Sequence, residues 1–122
     1  MTRAPPLGRR VMVLEDQYVI SSDLADALEE LGLKVAGPFA TSAEALDWLR
    51  RERPDCAILD VQLKHGDCLE VARELRRRDV PMVFFTGDPS WPSLMEEFAD
   101  VPTIAKPASV TDLLDALAEI VS

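Results

Sequence analysis

The sequence has a single histidine, His65, and only two cysteines, Cys56 and Cys68. A zinc site needs several nitrogen or sulfur ligands, and a Ser–His–Asp triad needs a histidine beside its serine. One histidine without a cysteine cluster gives neither a foundation, and His65 reads as a solvated loop residue. Cys56 lies in an apolar, strand-like run and Cys68 on a helical pattern. Both read as reduced, small, buried side chains. Positive charge is also scarce: 13 Lys and Arg stand against 22 Asp and Glu, for a net charge of −9. A phosphate backbone would repel such a chain, so direct nucleic-acid binding is not expected. Long apolar runs are missing too. Runs such as Met82–Phe85 fall far short of the roughly 20 residues a membrane helix needs. The first ten residues hold Arg3, Arg9 and Arg10 but no apolar stretch. No signal peptide is therefore expected, and the cytoplasm is the expected location.

What is present fits one compact domain. A chain of 122 residues, 48% hydrophobic and 29% charged, can bury a core and leaves no room for a second domain. Met1–Gly8, with Pro5, Pro6 and Gly8, reads as a flexible leader, and residues 9–122 as the domain.

Short apolar runs alternate with helical stripes. Val11–Leu14 is a buried-strand pattern that stops at Glu15-Asp16. Ile20, Leu24, Ala27, Leu28 and Leu31 form one helical face, with Gly32 placed to cap it. Lys34–Phe39 reads as a second strand. Thr41-Ser42-Ala43-Glu44 has capping-box spacing and opens a second helix that Pro54 helps to stop. Cys56–Leu59 is the third strand and ends at Asp60. Leu69, Ala72 and Leu75 mark a third helix, and Arg76-Arg77-Arg78 reads as its solvated end, complementing the helix dipole. Val80–Phe85 is the fourth strand, followed by Thr86-Gly87. A short helical pattern spans Ser93–Phe98, Val101–Ala105 is the fifth strand, and Val110, Leu113, Leu114, Leu117 and Val121 stripe the last helix. Five βα units predict an α/β fold: a doubly wound five-stranded parallel sheet of order 2-1-3-4-5, flavodoxin-like, with helices on both faces.

The strand ends carry the chemistry. Ligands of such sheets bind at the C-terminal strand ends, where the strand order reverses. Glu15, Asp16 and Asp60 should converge there. At about 5 Å and an effective dielectric near 20, each carboxylate pair would cost roughly 3 kcal/mol. A hard divalent cation suits that repulsion, since Mg²⁺ takes carboxylate oxygens together with waters and a phosphate. Lys106 adds a positive charge. Asp60 can then act as a nucleophile toward an activated phosphoryl group, with Lys106 and the metal neutralising the transferred oxygens. Thr86 can donate a hydrogen bond to one of them, and Gly87 leaves room. Each signal alone is ordinary: an acid after a strand, a Thr-Gly turn, a Lys-Pro loop. Their joint order at four strand ends is what points to a site.

On these residues the chain resembles a response-regulator receiver domain over about residues 10–121. The resemblance implies that Glu15 and Asp16 hold Mg²⁺, that Asp60 is the phosphoacceptor, and that the Gln62 carbonyl completes the metal ligation. It implies that Thr86 is the switch hydroxyl, that Lys106 contacts the phosphate, and that the Lys106-Pro107 bond is cis. Partners would be a sensor histidine kinase or a histidine phosphotransfer protein, and a downstream protein target. The chain would be no enzyme beyond self-phosphorylation and autodephosphorylation, the latter tuned by Gln62 and Asp88, and would be a monomer or weak dimer. Lys64 stands where the family usually has proline, and Thr103 where it usually has an aromatic switch residue. Val80–Gly87 is similar to an atypical subgroup with a Phe-Ala-Thr-Gly-Tyr motif, matched in part, with Phe85 and Asp88 departing. Phosphorylation would then reshape the face of the fourth helix, fifth strand and last helix by other side chains, among which Trp91 is a candidate. The alternatives are a pseudo-receiver that binds partners without phosphate, and a haloacid-dehalogenase-type phosphatase. The latter wants an acid where Gln62 stands. A flavodoxin-like cofactor binder would need a phosphate loop after the first strand, and none is present.

Overall fold

The computed structural model describes residues 9–63, 66–87, 96–106 and 109–121. Five strands form one parallel sheet: β1 (Arg10–Leu14), β2 (Lys34–Phe39), β3 (Cys56–Leu59), β6 (Met82–Thr86) and β7 (Thr103–Ala105). Their order, β2-β1-β3-β6-β7, is the one expected. A two-stranded antiparallel hairpin, β4 (Gln62–Leu63) and β5 (Gly66–Asp67), follows β3. The helices are α1 (Tyr18–Glu30), α2 (Ser42–Leu49), α3 (Leu69–Arg77) and α4 (Val110–Val121). Among the described residues, no helix is long and apolar enough to cross a membrane.

The strands read as unbroken apolar runs because both faces of the sheet are covered. Alternate residues serve opposite layers. Val11, Val13, Cys56, Ile58, Val83 and Phe85 pack with Leu24 and Leu28 of α1 and Leu113 and Leu117 of α4. Met12, Leu14, Ala57, Leu59, Met82 and Phe84 pack on the other side with Ala45 and Leu49 of α2 and Val71, Ala72 and Leu75 of α3. Phe98 joins this second layer edge-on to Phe84, with ring centroids 5.7 Å apart.

Helix ends follow their local chemistry. The Thr41 hydroxyl accepts the Glu44 amide at 3.1 Å and donates to the Glu44 carboxylate, so the predicted N-cap of α2 is in place. Gly32, at φ +92°, ends α1 with its amide on the Glu29 carbonyl and the Leu33 amide on that of Leu28. Asp79 plays the same part after α3 at φ +57°, with the Val80 amide on the Leu75 carbonyl. That capping shortens the expected fourth strand at its start. Val80 is spent closing α3, and β6 begins at Met82.

The solvated reading of Arg76-Arg77-Arg78 holds at Arg76 and Arg77, in the last turn of α3, and needs correction at Arg78, which is half-buried. Arg77 is largely exposed. Arg76 grips Asp100, and Arg78 donates to the Leu49 carbonyl of α2. The leader Met1–Gly8 and the readings placed on Lys64, His65, Asp88, Trp91 and the Lys106-Pro107 bond lie outside the described residues. Of the Ser93–Phe98 pattern, residues 96 and 97 are helical and a turn follows.

Candidate functional site

The backbones of Glu15, Asp60 and Lys106 are each tied to a neighbouring strand. The Glu15 amide donates to the Phe39 carbonyl at 2.9 Å, the Asp60 amide to Leu14 at 2.8 Å and the Lys106 amide to Thr86 at 2.8 Å. The first of these bonds depends on Gly37. The β1–β2 register shifts between Met12 and Leu14, opposite a Gly37 at φ +99°. A Cβ there would lie 2.6 Å from the Phe39 nitrogen and 3.0 Å from the Val13 oxygen. Only glycine lets β2 come this close.

The side chains converge as the sequence predicts. One oxygen from each of Glu15, Asp16 and Asp60 can be chosen so that all three lie within 4.8 Å of one another. Glu15 and Asp60 are buried, at 3% and 5% exposure. Lys106 reaches in from the end of β7. Its Nζ bonds Glu15 Oε1 and lies 3.2 Å from Asp60 Oδ2. The other Glu15 oxygen accepts the Gln17 amide at 3.1 Å. The Phe85 ring centroid is 5.3 Å from the lysine nitrogen. Thr86 ends β6, one strand over from Asp60, and is buried. Gln62 is exposed at the start of the hairpin, two residues from Asp60. No buried side-chain polar atom among the described residues is left without a partner.

These placements shift the titrations. The Asp60 carboxyl is raised from 3.8 to about 7, chiefly by burial and then by neighbouring Glu15, with Lys106 pulling it back in part. Burial opposes the Lys106 charge, but Glu15 and Asp60 outweigh it and hold the ammonium above the ordinary lysine value. Metal-free, the cluster holds one lysine against three acids and so keeps an affinity for further positive charge. Its all-oxygen donor set is of the kind Mg²⁺ accepts. The cysteines contribute nothing here. Both are buried, and burial pushes each thiol up to about 12, which leaves no reactive thiolate near neutral pH.

Sequence reasoning missed the β4–β5 hairpin that follows Asp60. Its strands are two residues each, too short to show alternation. Its signal is Gly66, at φ +117°. The hairpin pairs Gln62 with Asp67 and Leu63 with Gly66. The Ser42 hydroxyl donates to the Asp67 carbonyl at 2.7 Å, which moors the hairpin to α2.

Thr103 occupies β7 half-buried, and its hydroxyl faces the Val101 carbonyl at 3.5 Å.

The chain matches known proteins along nearly its whole length. The profile of the response regulator receiver domain matches residues 11–118. The transcriptional regulatory protein PdtaR of Mycobacterium tuberculosis is 34% identical over 118 residues, covering 93% of this chain and 57% of that protein. The structure of the PhyR stress response regulator superposes with a TM-score of 0.77 at 31% identity, covering 93% of this chain and 45% of that one. The chain thus spans about half the length of these two relatives. The response regulator TrrA of Thermotoga maritima, solved in complex with Mg²⁺ and BeF, shares the fold at a TM-score of 0.78 and 23% identity, covering 92% of this chain and 98% of that one. With its strand order, its acidic cluster and the span of these matches taken together, the chain belongs to the response regulator receiver domains of two-component signalling.

Proposed function

We propose that this receiver domain accepts a phosphoryl group on Asp60 from a phosphohistidine of a sensor histidine kinase or a histidine phosphotransfer protein. The observation that carries the reading is the convergence of Glu15, Asp16 and Asp60, with Lys106 reaching Glu15 and Asp60, at the ends of β1, β3 and β7. Glu15, Asp16, Asp60 and the Gln62 carbonyl would hold Mg²⁺, which when bound supplies positive charge to the phosphoryl oxygens. The BeF and Mg²⁺ held by TrrA support this reading.

The chain's own residues do the rest. An Asp60 carboxylate oxygen attacks phosphorus, the P–N bond breaks, and its electron pair leaves with the imidazole, which takes up a proton. Lys106 stays within reach of Asp60 and neutralises one transferred oxygen. The Thr86 hydroxyl donates to another. Burial of Glu15 and Asp60 keeps bulk water from screening these charges. Water later attacks phosphorus of the acyl phosphate, the bond to the Asp60 oxygen breaks, and inorganic phosphate leaves with Asp60 restored as a carboxylate, Gln62 and Asp88 setting the pace. The signal leaves by protein contact or by passing the phosphate on, from a monomer or weak dimer in the cytoplasm.

Intact mass after incubation with Mg²⁺ and acetyl phosphate tests the reading. One added phosphate is expected, absent when Mg²⁺ is chelated and absent in Asp60→Asn. No phosphate on the wild type, together with no tryptophan response to Mg²⁺ and beryllofluoride, would overturn it in favour of a pseudo-receiver.

A further inference from the structure

We propose that α3 couples the Asp60 loop to residues 97–100 through Arg73 and Arg76, and so carries the state of the phosphoacceptor to β7. This rests on the phosphoacceptor reading above.

The start of α3 is fixed to the segment that follows Asp60. The Cys68 amide donates to the Val61 carbonyl at 3.2 Å, and Asp67 Oδ1 accepts the Leu69 amide at 2.9 Å. Val61 and Cys68 are buried in the same layer as Val71, Ala72 and Leu75. A helix moored and packed this way moves as a unit, because its core contacts are close-packed.

The outer face of α3 grips a second segment. Arg73 makes two bonds to the Glu97 carboxylate, at 2.7 and 2.8 Å. Arg76 makes two to Asp100, at 2.8 and 2.9 Å, and a third to the Glu97 carbonyl at 3.3 Å. Its guanidinium lies 4.7 Å from the Phe98 ring centroid. The Arg73–Glu97 fork, made by two nitrogens to two oxygens, fixes orientation as well as distance, and Arg76 adds a second grip through one nitrogen. Between residues 96 and 100 only Phe98 is buried. Among the described residues, the arginines supply the side-chain hydrogen bonds to Glu97 and Asp100.

The segment leads directly into β7. The Val101 amide donates to the Phe98 carbonyl at 2.9 Å, and β7 ends at the strand boundary from which Lys106 returns to Asp60. The contacts therefore close a circuit: Asp60, α3, residues 97–100, β7, Lys106 and Asp60 again. Position 103 has no aromatic ring to relay a change from Thr86, and its hydroxyl is turned back to the Val101 carbonyl that precedes β7. The α3 forks provide a second connection between the site and this edge of the sheet.

Amide spectra of ¹⁵N-labelled protein, taken with Mg²⁺ and then with Mg²⁺ and beryllofluoride, test the coupling. In the wild type, amides at 60–63 and at 97–105 should both shift. Arg73→Glu combined with Arg76→Gln should leave the shifts at 60–63 and the apparent affinity unchanged while cutting those at 97–105 severalfold. Pairing Arg73→Glu with Glu97→Arg should restore them, which a merely destabilised segment would not do. Full shifts at 97–105 with both forks broken would overturn the proposal. Silence at 60–63 in the wild type would instead defeat the phosphoacceptor reading, and the coupling with it.

Discussion

Two clusters of opposite charges lie in this small domain, one at the ends of the central strands and one on the outside of α3. Glu15, Asp60 and Lys106 meet with side chains 2%, 7% and 14% exposed. Arg73, Arg76, Glu97 and Asp100 meet at 40% or more. The outer cluster has a bidentate fork from Arg73 to Glu97, one Arg76 nitrogen shared between both Asp100 oxygens, and a balanced charge. The inner one has three acids to one base. Burial therefore decides what each can do. The outer charges can be screened by salt and act as adjustable fasteners. The inner charges are shielded from salt, so the titrations of Asp60 and Lys106 are shifted, and the acids together favour an added cation.

Breaking the inner cluster should have the largest effect. Lys106→Met leaves Glu15 and Asp60 facing each other, and should cost on the order of 3 kcal/mol in urea unfolding at pH 8 without metal. The loss should shrink toward pH 6, where Asp60 can take up a proton, and Mg²⁺ should recover part of it.

Removing one inner acid should act in the opposite direction. The Asp60 carboxyl holds its proton more tightly folded than unfolded, at about 7 against 3.8. Its contribution to stability is thus full below pH 4 and is lost as the pH rises through 7. Asp60→Asn lacks this loss, so its advantage over the metal-free wild type should grow between pH 4 and pH 8 by roughly 2–3 kcal/mol. Thermal unfolding across that range checks the slope, and a constant difference would contradict it. Added Mg²⁺ should stabilise the wild type and leave the variant nearly unmoved.

The outer cluster should yield the smallest effects. Arg76→Gln should shift the urea midpoint severalfold less than Lys106→Met, and most of that shift should vanish in high salt. Arg51→Ala, which removes a single exposed pair to Asp47, should be barely measurable by the same titration.

The same contrast explains what could be read from the sequence. The inner cluster was legible because strand ends are marked by the close of apolar runs: Leu14 before Glu15, Leu59 before Asp60. The parallel order then brings those ends together. Thr41 and Gly32 were legible because capping is local chemistry. The forks were not. Arg73 and Glu97 are 24 residues apart, and an arginine on an exposed helix face carries no mark of its partner. The hairpin at Gln62–Asp67 was missed because two-residue strands show no period. The later start of β6, at Met82 and not Val80, was missed because Asp79 does after α3 what glycine does after α1.

The measurement that tests the central claim most directly is to locate the phosphoryl group. Protein labelled with acetyl phosphate and Mg²⁺, trapped with borohydride and digested, should carry the reduced aspartyl product at Asp60 and at no other acid. Product at Glu15, Asp16 or a surface carboxylate, with Asp60 unmodified, would contradict the account.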